Sequence, residues 1–190
     1  MDLFREYYSR LVATNKIHNL TAITDLDNVI SDHFDDSLAL IRAIDCASLR
    51  GLADVGTGAG FPGIPLKIIY PELPLFLIEV NGKKRAFLQE LVDAFSLSDV
   101  VISELDWRTF LRSTDYPIDL FCARASLHPD ELIRMFKPSS PYKEGTLVYW
   151  AASHWQPSTQ VEKYCERIIA YKVGDKKRIL VLLKDLSHNS

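Results

Sequence analysis

Apolar residues recur at helical spacing from Leu3 to about Asn15, falling on Leu3, Phe4, Tyr7, Tyr8, Leu11 and Val12. A polar knot follows, His18-Asn19-Leu20-Thr21-Ala22-Ile23-Thr24-Asp25, in which Thr24 or Asp25 is placed to N-cap a second helical region. That region runs from about Asp27 to Ile44 and is expected to break near His33-Phe34-Asp35-Asp36-Ser37. Beyond it the pattern alternates. Strands are predicted at 52–55, 75–80, 100–102, 118–123 and 146–151, with helical patterns between them at 63–70, 83–95, 107–111 and 129–136. Residues 160–165 read as helix, and two late strands, 168–173 and 179–183, are joined by Gly174-Asp175-Lys176-Lys177. Strands separated by helix-length patterns build a mostly parallel, doubly wound α/β sheet. The last connection is short enough for a hairpin, which makes one late strand antiparallel. The expectation is a seven-stranded α/β sheet in a single domain, with 1–45 as an amino-terminal helical part and 46–190 as the α/β part.

Composition narrows this only a little. At 47% hydrophobic and 25% charged the chain has a soluble globular profile, and 190 residues suffice for one ordinary core. With 22 basic and 25 acidic residues the formal charge is −3, so any nucleic-acid contact must use local patches. Three scattered cysteines, Cys46, Cys122 and Cys165, form no Cys-x-x-Cys pair, and the five histidines do not cluster, so no metal is expected. Unpaired thiols suit a reducing cytoplasm. The amino terminus lacks an apolar core of signal-peptide length, and the run Ile179 to Leu183 is too short for a bilayer. No membrane association is expected. No segment reads as an exposed apolar stripe, so a monomer is expected.

The chemistry is concentrated in Ala53-Asp54-Val55-Gly56-Thr57-Gly58-Ala59-Gly60-Phe61-Pro62-Gly63-Ile64-Pro65-Leu66. It reads as a strand, a glycine-dense turn and a helix start. Glycines leave bare backbone where a ligand must approach, and Pro62 and Pro65 pre-set φ for the helix. A dinucleotide fingerprint would need its third glycine at Phe61, and a P-loop would need a lysine that is not there. The pattern acidic-x-Gly-x-Gly-x-Gly from Asp54 is instead similar to the first motif of S-adenosylmethionine-dependent methyltransferases of the Rossmann-like class. The same residues also suit a tight turn with no ligand.

Ligands of open α/β sheets sit beyond the carboxyl ends of the strands. Glu79 ends strand two, about twenty residues past the glycine turn. It is either the acceptor for two ribose hydroxyls or a solvated strand-end carboxylate. Asp106, after strand three, is either an adenine contact on the methyltransferase pattern, with Glu104 as its neighbour, or an N-cap. Arg124 ends strand four as a bidentate partner for an anion or as a surface arginine. Lys83-Lys84-Arg85 and Lys176-Lys177-Arg178 are phosphate-binding clusters or solvated charge. His33 and Asp36, one helical turn apart, shape a target pocket or pin the helices. Tyr149, Trp150 and Trp155 stack on a base or pack in the core.

Asn19-Leu20-Thr21, His33-x-x-Asp36-Ser37, the whole run Asp54 to Leu66, Gly82-Lys83-Lys84-Arg85-Ala86-Phe87-Leu88 and Arg124-Ala125 together resemble one family. It is the bacterial small-subunit rRNA guanine-N7 methyltransferases, once called glucose-inhibited division protein B. The resemblance spans nearly the whole chain and implies the seven-stranded class I methyltransferase sheet. It also implies S-adenosyl-L-methionine as cofactor and methyl transfer to N7 of one guanosine in 16S rRNA of the small ribosomal subunit. Cofactor contacts are implied at Gly56, Phe61, Leu105, Asp106 and Arg124, within a binding set that includes Asp54, Thr57, Gly58, Gly60 and Glu79. His33, Asp36, Lys83, Lys84 and Arg124 are the substrate-side candidates. N7 carries a lone pair and no proton, so no catalytic acid or base is expected, only placement. Two departures stand out. Trp150-Ala151-Ala152-Ser153 lies where the family usually has lysine-glycine, and the helical part before Asn19 is shorter than usual. They leave open a methyltransferase of a small molecule or protein, or a catalytically silent cofactor-binding module.

Overall fold

The computed structural model describes residues 3–187; Met1, Asp2 and residues 188–190, at the two ends of the expected 1–190 domain, lie outside the described residues. Helix α1, Leu3–His18, buries Tyr7 and Leu11, the residues that the helical apolar spacing had placed on one face. Asp25 caps α2, Leu26–Val29, accepting from the Asn28 amide. The expected break near His33 is a widening rather than a gap. A π-helical stretch, Ile30–Asp35, runs into a turn of α-helix, α3 at Asp36–Leu38, and a 3-10 turn at Ala39–Arg42. The chain thereby stays helical from 26 to 42 while Asp32, His33 and Asp36 all reach the same strand end.

The sheet has seven strands in the order β3-β2-β1-β4-β5-β7-β6. They are β1 Leu52–Val55, β2 Leu75–Ile78, β3 Val100–Ser103, β4 Leu120–Arg124, β5 Thr146–Ala152, β6 Cys165–Val173 and β7 Lys176–Leu183. Strands β1 to β5 pair in parallel, and β7 runs antiparallel between β5 and β6. The order reverses at β1 and β4, which places a crevice outside their carboxyl ends. Alternate residues feed two cores. Leu52, Leu75 and Leu77 pack with Tyr7, Ile64 and Phe87 on one face, and Ala53, Phe76 and Ile78 pack with Trp107, Phe110 and Met135 on the other. The first face is covered by α1, the 26–42 segment, α4 (Gly63–Ile69) and α5 (Gly82–Ala94); the second by α6 (Trp107–Ser113), α7 (Pro129–Leu132) and α8 (Thr159–Glu162).

Two expectations about the carboxyl-terminal region need correction. The helix expected at 160–165 is the single turn α8, capped by Ser158, and Cys165 already pairs with Leu183 in β6. The first half of β6 carries Glu166 and Arg167 on the sheet's edge, so the apolar alternation that marks a strand is missing there. The hairpin is also tighter than expected: Lys176 and Lys177 belong to β7, leaving a two-residue loop in which Gly174 takes φ +53°.

Helix α1 is held against the glycine turn by one side chain. The buried Tyr7 hydroxyl donates to the Ala59 carbonyl at 2.6 Å, and its ring stacks on Phe61 at 5.2 Å. A Cβ on Gly60 would stand 2.5 Å from that hydroxyl. Tyr7→Phe removes the donor from a buried carbonyl and is expected to lower the unfolding free energy in urea by about 1 to 3 kcal/mol. An unchanged midpoint would show that the turn does not need the contact.

Candidate active site

The turn after β1 is stitched from three sides. Gly56, Gly58 and Gly60 take φ of +67°, +64° and +102°, a region that side chains rarely enter. The Gly56 and Thr57 amides both donate to the Ile78 carbonyl of β2, at 2.9 and 3.2 Å. Asp54, fully buried, accepts from the Thr57 hydroxyl at 2.6 Å and from the Gly63 amide at 2.8 Å, fastening the turn to the first residue of α4. Burial pushes its pKa up to about 6, against the pull of those two hydrogen bonds. A Cβ on Gly56 would stand 2.5 Å from Cβ of Ser126, so the loop after β4 packs directly on bare backbone.

Beyond these strand ends opens a crevice of about 610 Å³, of the size that holds a small ligand. Glu79, 6% exposed, stands on its wall and anchors the turn: Oε2 accepts from the Gly58 amide at 3.0 Å and Oε1 from the Asn81 amide at 2.8 Å. Each carboxylate oxygen can accept two hydrogen bonds, so one lone pair on each remains for a diol. Leu105 and Asp106 form the far wall. Trp107 Nε1 and Ser126 Oγ, on the same walls, are buried without a hydrogen-bond partner among the described residues. Unpaired buried polar atoms are costly, and here both belong to residues that line the cavity a polar ligand would fill. These features fit an adenosine-sized ligand.

A second chamber, about 300 Å³, adjoins the crevice and shares Gly56, Lys84 and Ala125 with it. Its walls carry Thr21, His33, Phe61, Lys84, Arg124 and Arg178. The His33 ring stacks on Phe61 at 4.4 Å, and the Arg124 guanidinium lies 5.4 Å from the same ring. Arg124 donates to the Asp32 carbonyl at 2.7 Å and to Asp36 Oδ2 at 2.9 Å, and its other amino group faces His33 Nδ1 at 3.3 Å. A guanidinium only donates, so Nδ1 is the acceptor and the proton of neutral His33 sits on Nε2, 2.9 Å from the Thr21 hydroxyl. Burial first, and then the Arg124 charge, push the His33 pKa down to about 4.

The family model described as rRNA small subunit methyltransferase G (GidB) matches residues 1–176. The chain belongs to this family. Relatives named ribosomal RNA small subunit methyltransferase G include one from Listeria welshimeri, 31% identical over 191 residues, covering all of this chain and 80% of the relative. Another, from Lachnoclostridium phytofermentans, is 36% identical over 154 residues, 76% of this chain and 64% of the relative. A third, from Halalkalibacterium halodurans, is 37% identical over 150 residues, 78% of this chain and 63% of its own length. The chain therefore spans just under two thirds of two of these relatives. Among solved structures, a mutant of MtNAS in complex with S-adenosylmethionine matches with a TM-score of 0.63 at 12% identity, over 97% of this chain and 72% of that one. A SAM-dependent methyltransferase from Aquifex aeolicus matches with a TM-score of 0.61 at 16% identity, over 90% of this chain and 98% of that one. At those identities the structures speak for the fold, the class I methyltransferase sheet.

The residues singled out in this family member sort into three groups. Gly56, Glu79, Leu105 and Asp106 line the crevice, and Asp106 also caps α6, accepting from the Thr109 amide at 2.9 Å and its hydroxyl at 3.0 Å. Those two hydrogen bonds hold the Asp106 carboxyl below the usual range. Thr57, Gly58, Phe61, His33 and Arg124 line the second chamber, and Lys84 lines both cavities. Asp54 and Gly60 reach neither: Asp54 is sealed beneath the turn, and Gly60 is small because Tyr7 presses on it. Asp36, 1% exposed, also borders the second chamber, and its carboxylate is engaged by Arg124 and Tyr171. Lys83 lies outside both cavities. Arg85 clamps the exit of β2, donating to the Glu79 and Val80 carbonyls and pairing with Glu104. The hairpin cluster, though largely exposed, also pairs with the protein's own acids: Lys176 with Asp32, and Arg178 with Asp36 at 3.4 Å. Trp150 is buried with its indole N–H on the Asp36 carbonyl, and Tyr149 packs on Trp155 at 5.8 Å.

Trp107, Ser126 and Tyr171 support the site and left no signal of their own in the sequence, and Tyr7 was marked only as a helical apolar position. Each meets its neighbours across long sequence separations, as Tyr171 meets Asp36. Among the described residues no group of three or more His, Cys, Asp or Glu comes together to hold a metal ion, and no helix is long and apolar enough to cross a membrane.

The lowered His33 pKa has a signed consequence. Between pH 4 and 6.5 the unfolded chain binds a proton that the folded chain refuses, so stability rises with pH through that window and is complete above it. Relative to a His33→Gln variant, the protein is expected to lose about 2 kcal/mol as the pH falls from 7 to about 4.5, read by urea unfolding. A difference that stays flat with pH would mean that His33 takes up its proton as readily in the fold as in the unfolded chain.

Proposed function

We propose that this chain transfers a methyl group from S-adenosylmethionine to N7 of a guanosine in 16S rRNA of the small ribosomal subunit. The observation that carries this reading is Glu79. The carboxylate that anchors the bare Gly58 backbone also lines a crevice of adenosine size, in a chain of the methyltransferase G family. Glu79 would hold the ribose, Leu105 and Asp106 the adenine, and the unpaired Trp107 and Ser126 groups would gain partners. S-adenosylmethionine, when bound, supplies a methyl group on a sulfonium centre.

What the chain itself must supply is placement, because N7 of guanine is a nucleophile with no proton to remove. Gly56 and Ala125, on the wall between crevice and chamber, keep that passage bare; Ala125 adopts φ +53° there. His33, neutral and stacked on Phe61, and Arg124, fixed by Asp36 and Asp32, make a rigid wall on the substrate side. Neither is free to move a proton at neutral pH, which suits a reaction that needs none. In this reading the protein works as a single domain and a monomer, in a reducing cytoplasm where Cys46, Cys122 and Cys165 remain free thiols.

Incubation with radiolabelled S-adenosylmethionine and undermethylated small ribosomal subunits is expected to place label on a guanine N7. Cofactor binding without any label on the subunit would reject the substrate. Glu79→Ala, which removes the acceptor of the Gly58 and Asn81 amides as well as that of the diol, is expected to weaken cofactor binding by roughly 10- to 100-fold in calorimetry. Unchanged affinity would place the cofactor elsewhere.

A further inference from the structure

Most arginines of this chain are spent on the protein's own acceptors. Arg10 pairs with Glu6 and Glu90, Arg50 with Asp119, Arg85 with Glu104 and Arg124 with Asp36. Arg167 donates to the Ala43 carbonyl. On the opposite face from α1, a groove of about 590 Å³ departs from this pattern. It runs between α6 and the turn that follows α7, and it is lined by Arg108, Arg112, Arg134 and Lys137 with Ser139 and Ser140. None of these four cationic side chains makes a hydrogen bond or an ion pair among the described residues.

The arrangement costs the fold something. Arg108 and Arg112 stand four residues apart on one short helix, where like charges repel by a few tenths of a kcal/mol. Arg108 also sits in the first turn of α6, the positive end of the helix dipole, where the Asp106 cap is the sole acidic offset. In a chain of net charge −3, four unpaired cations around one groove make a local positive field. Arg108 ties the groove to the site, because it lines the cofactor crevice as well.

We propose that this groove binds the phosphodiester backbone of the RNA strand that flanks the target nucleotide, leading it to the mouth of the crevice. The proposal rests on the RNA-methyltransferase reading above and adds a contact surface to it. Arginine and lysine neutralise backbone phosphates without reading sequence, so the groove sets register and affinity while the chamber selects the base. Serine hydroxyls at its far end add neutral donors to phosphate oxygens.

The test is the salt dependence of binding. The variant Arg112→Ala/Arg134→Ala/Lys137→Ala leaves Arg108 and the crevice intact. Its affinity would be measured against protein-free 16S rRNA and against undermethylated small subunits, alongside its affinity for S-adenosylmethionine. Three lost phosphate contacts are expected to lower the slope of log K against log salt by about 2 on protein-free RNA, with the cofactor constant unchanged. An unchanged slope, in a protein that still binds and methylates the subunit, would overturn the groove and leave the parent reading standing. Affinity lost only on assembled subunits, with the rRNA slope intact, would mean that the groove meets a ribosomal protein and would overturn the RNA assignment. A wild-type protein that binds the cofactor but neither RNA nor subunit would overturn both.

Discussion

The Asp36 carboxylate, 1% exposed, accepts from Arg124 of β4 at 2.9 Å and from Tyr171 of β6 at 2.6 Å, with Arg178 of β7 3.4 Å away, while its own carbonyl accepts from Trp150 of β5. Four strands thus converge on one residue of the amino-terminal helical segment. A charge so deep in the protein is tolerated only because its partners surround it, and removing one partner of a buried pair costs about 3 to 5 kcal/mol. The second chamber exists because of this convergence. Arg124, held by Asp36 and the Asp32 carbonyl, in turn fixes His33 against Phe61. The 26–42 segment is therefore part of the site.

The crevice has a different foundation. It opens at the strand ends, through the reversal of strand order at β1 and β4 and through Glu79 reaching from the end of β2 to the Gly58 amide, and the start of α6 closes it with Trp107 and Arg108. The two halves of the site meet at Gly56, Lys84 and Ala125, two of which carry little or no side chain. The division of labour is physical. The crevice presents carboxylates fixed by local hydrogen bonds, and the chamber is shaped by charges that cross between distant parts of the chain.

That division also decides what the residue pattern disclosed. The strands, their order of appearance, the antiparallel hairpin and the crevice acids Glu79 and Asp106 were legible because each leaves a local mark: apolar runs, a glycine turn, a carboxylate at a strand end. The π-helical stretch was visible only as an interruption of helical spacing around His33. Roles that depend on contacts across the fold were not legible. Asp54 and Gly60 carry the motif's spacing, yet they serve the turn's internal fastening and the Tyr7 contact. The hairpin cluster read as a phosphate site or as solvated charge, and the ion pairs that two of its three cations make with Asp32 and Asp36 left no mark in the sequence. The stretch at the end of β5 where the resemblance implies lysine-glycine is Trp150-Ala151-Ala152-Ser153 here, and Arg178 of the neighbouring β7 pairs across from Ala152 and lines the chamber. A cation reaches that side of the site from a strand that no local motif connects to it.

Crevice and chamber adjoin but rest on different contacts, the one on strand ends and the Glu79–Gly58 hydrogen bond, the other on Asp36. The most direct measurement compares cofactor affinity with methyl transfer in an Asp36→Asn variant whose circular dichroism shows it folded. Affinity for S-adenosylmethionine within a few-fold of wild type, with transfer to small subunits lost by at least about a hundredfold, is the predicted result. Parallel loss of both, or transfer left intact, would contradict it.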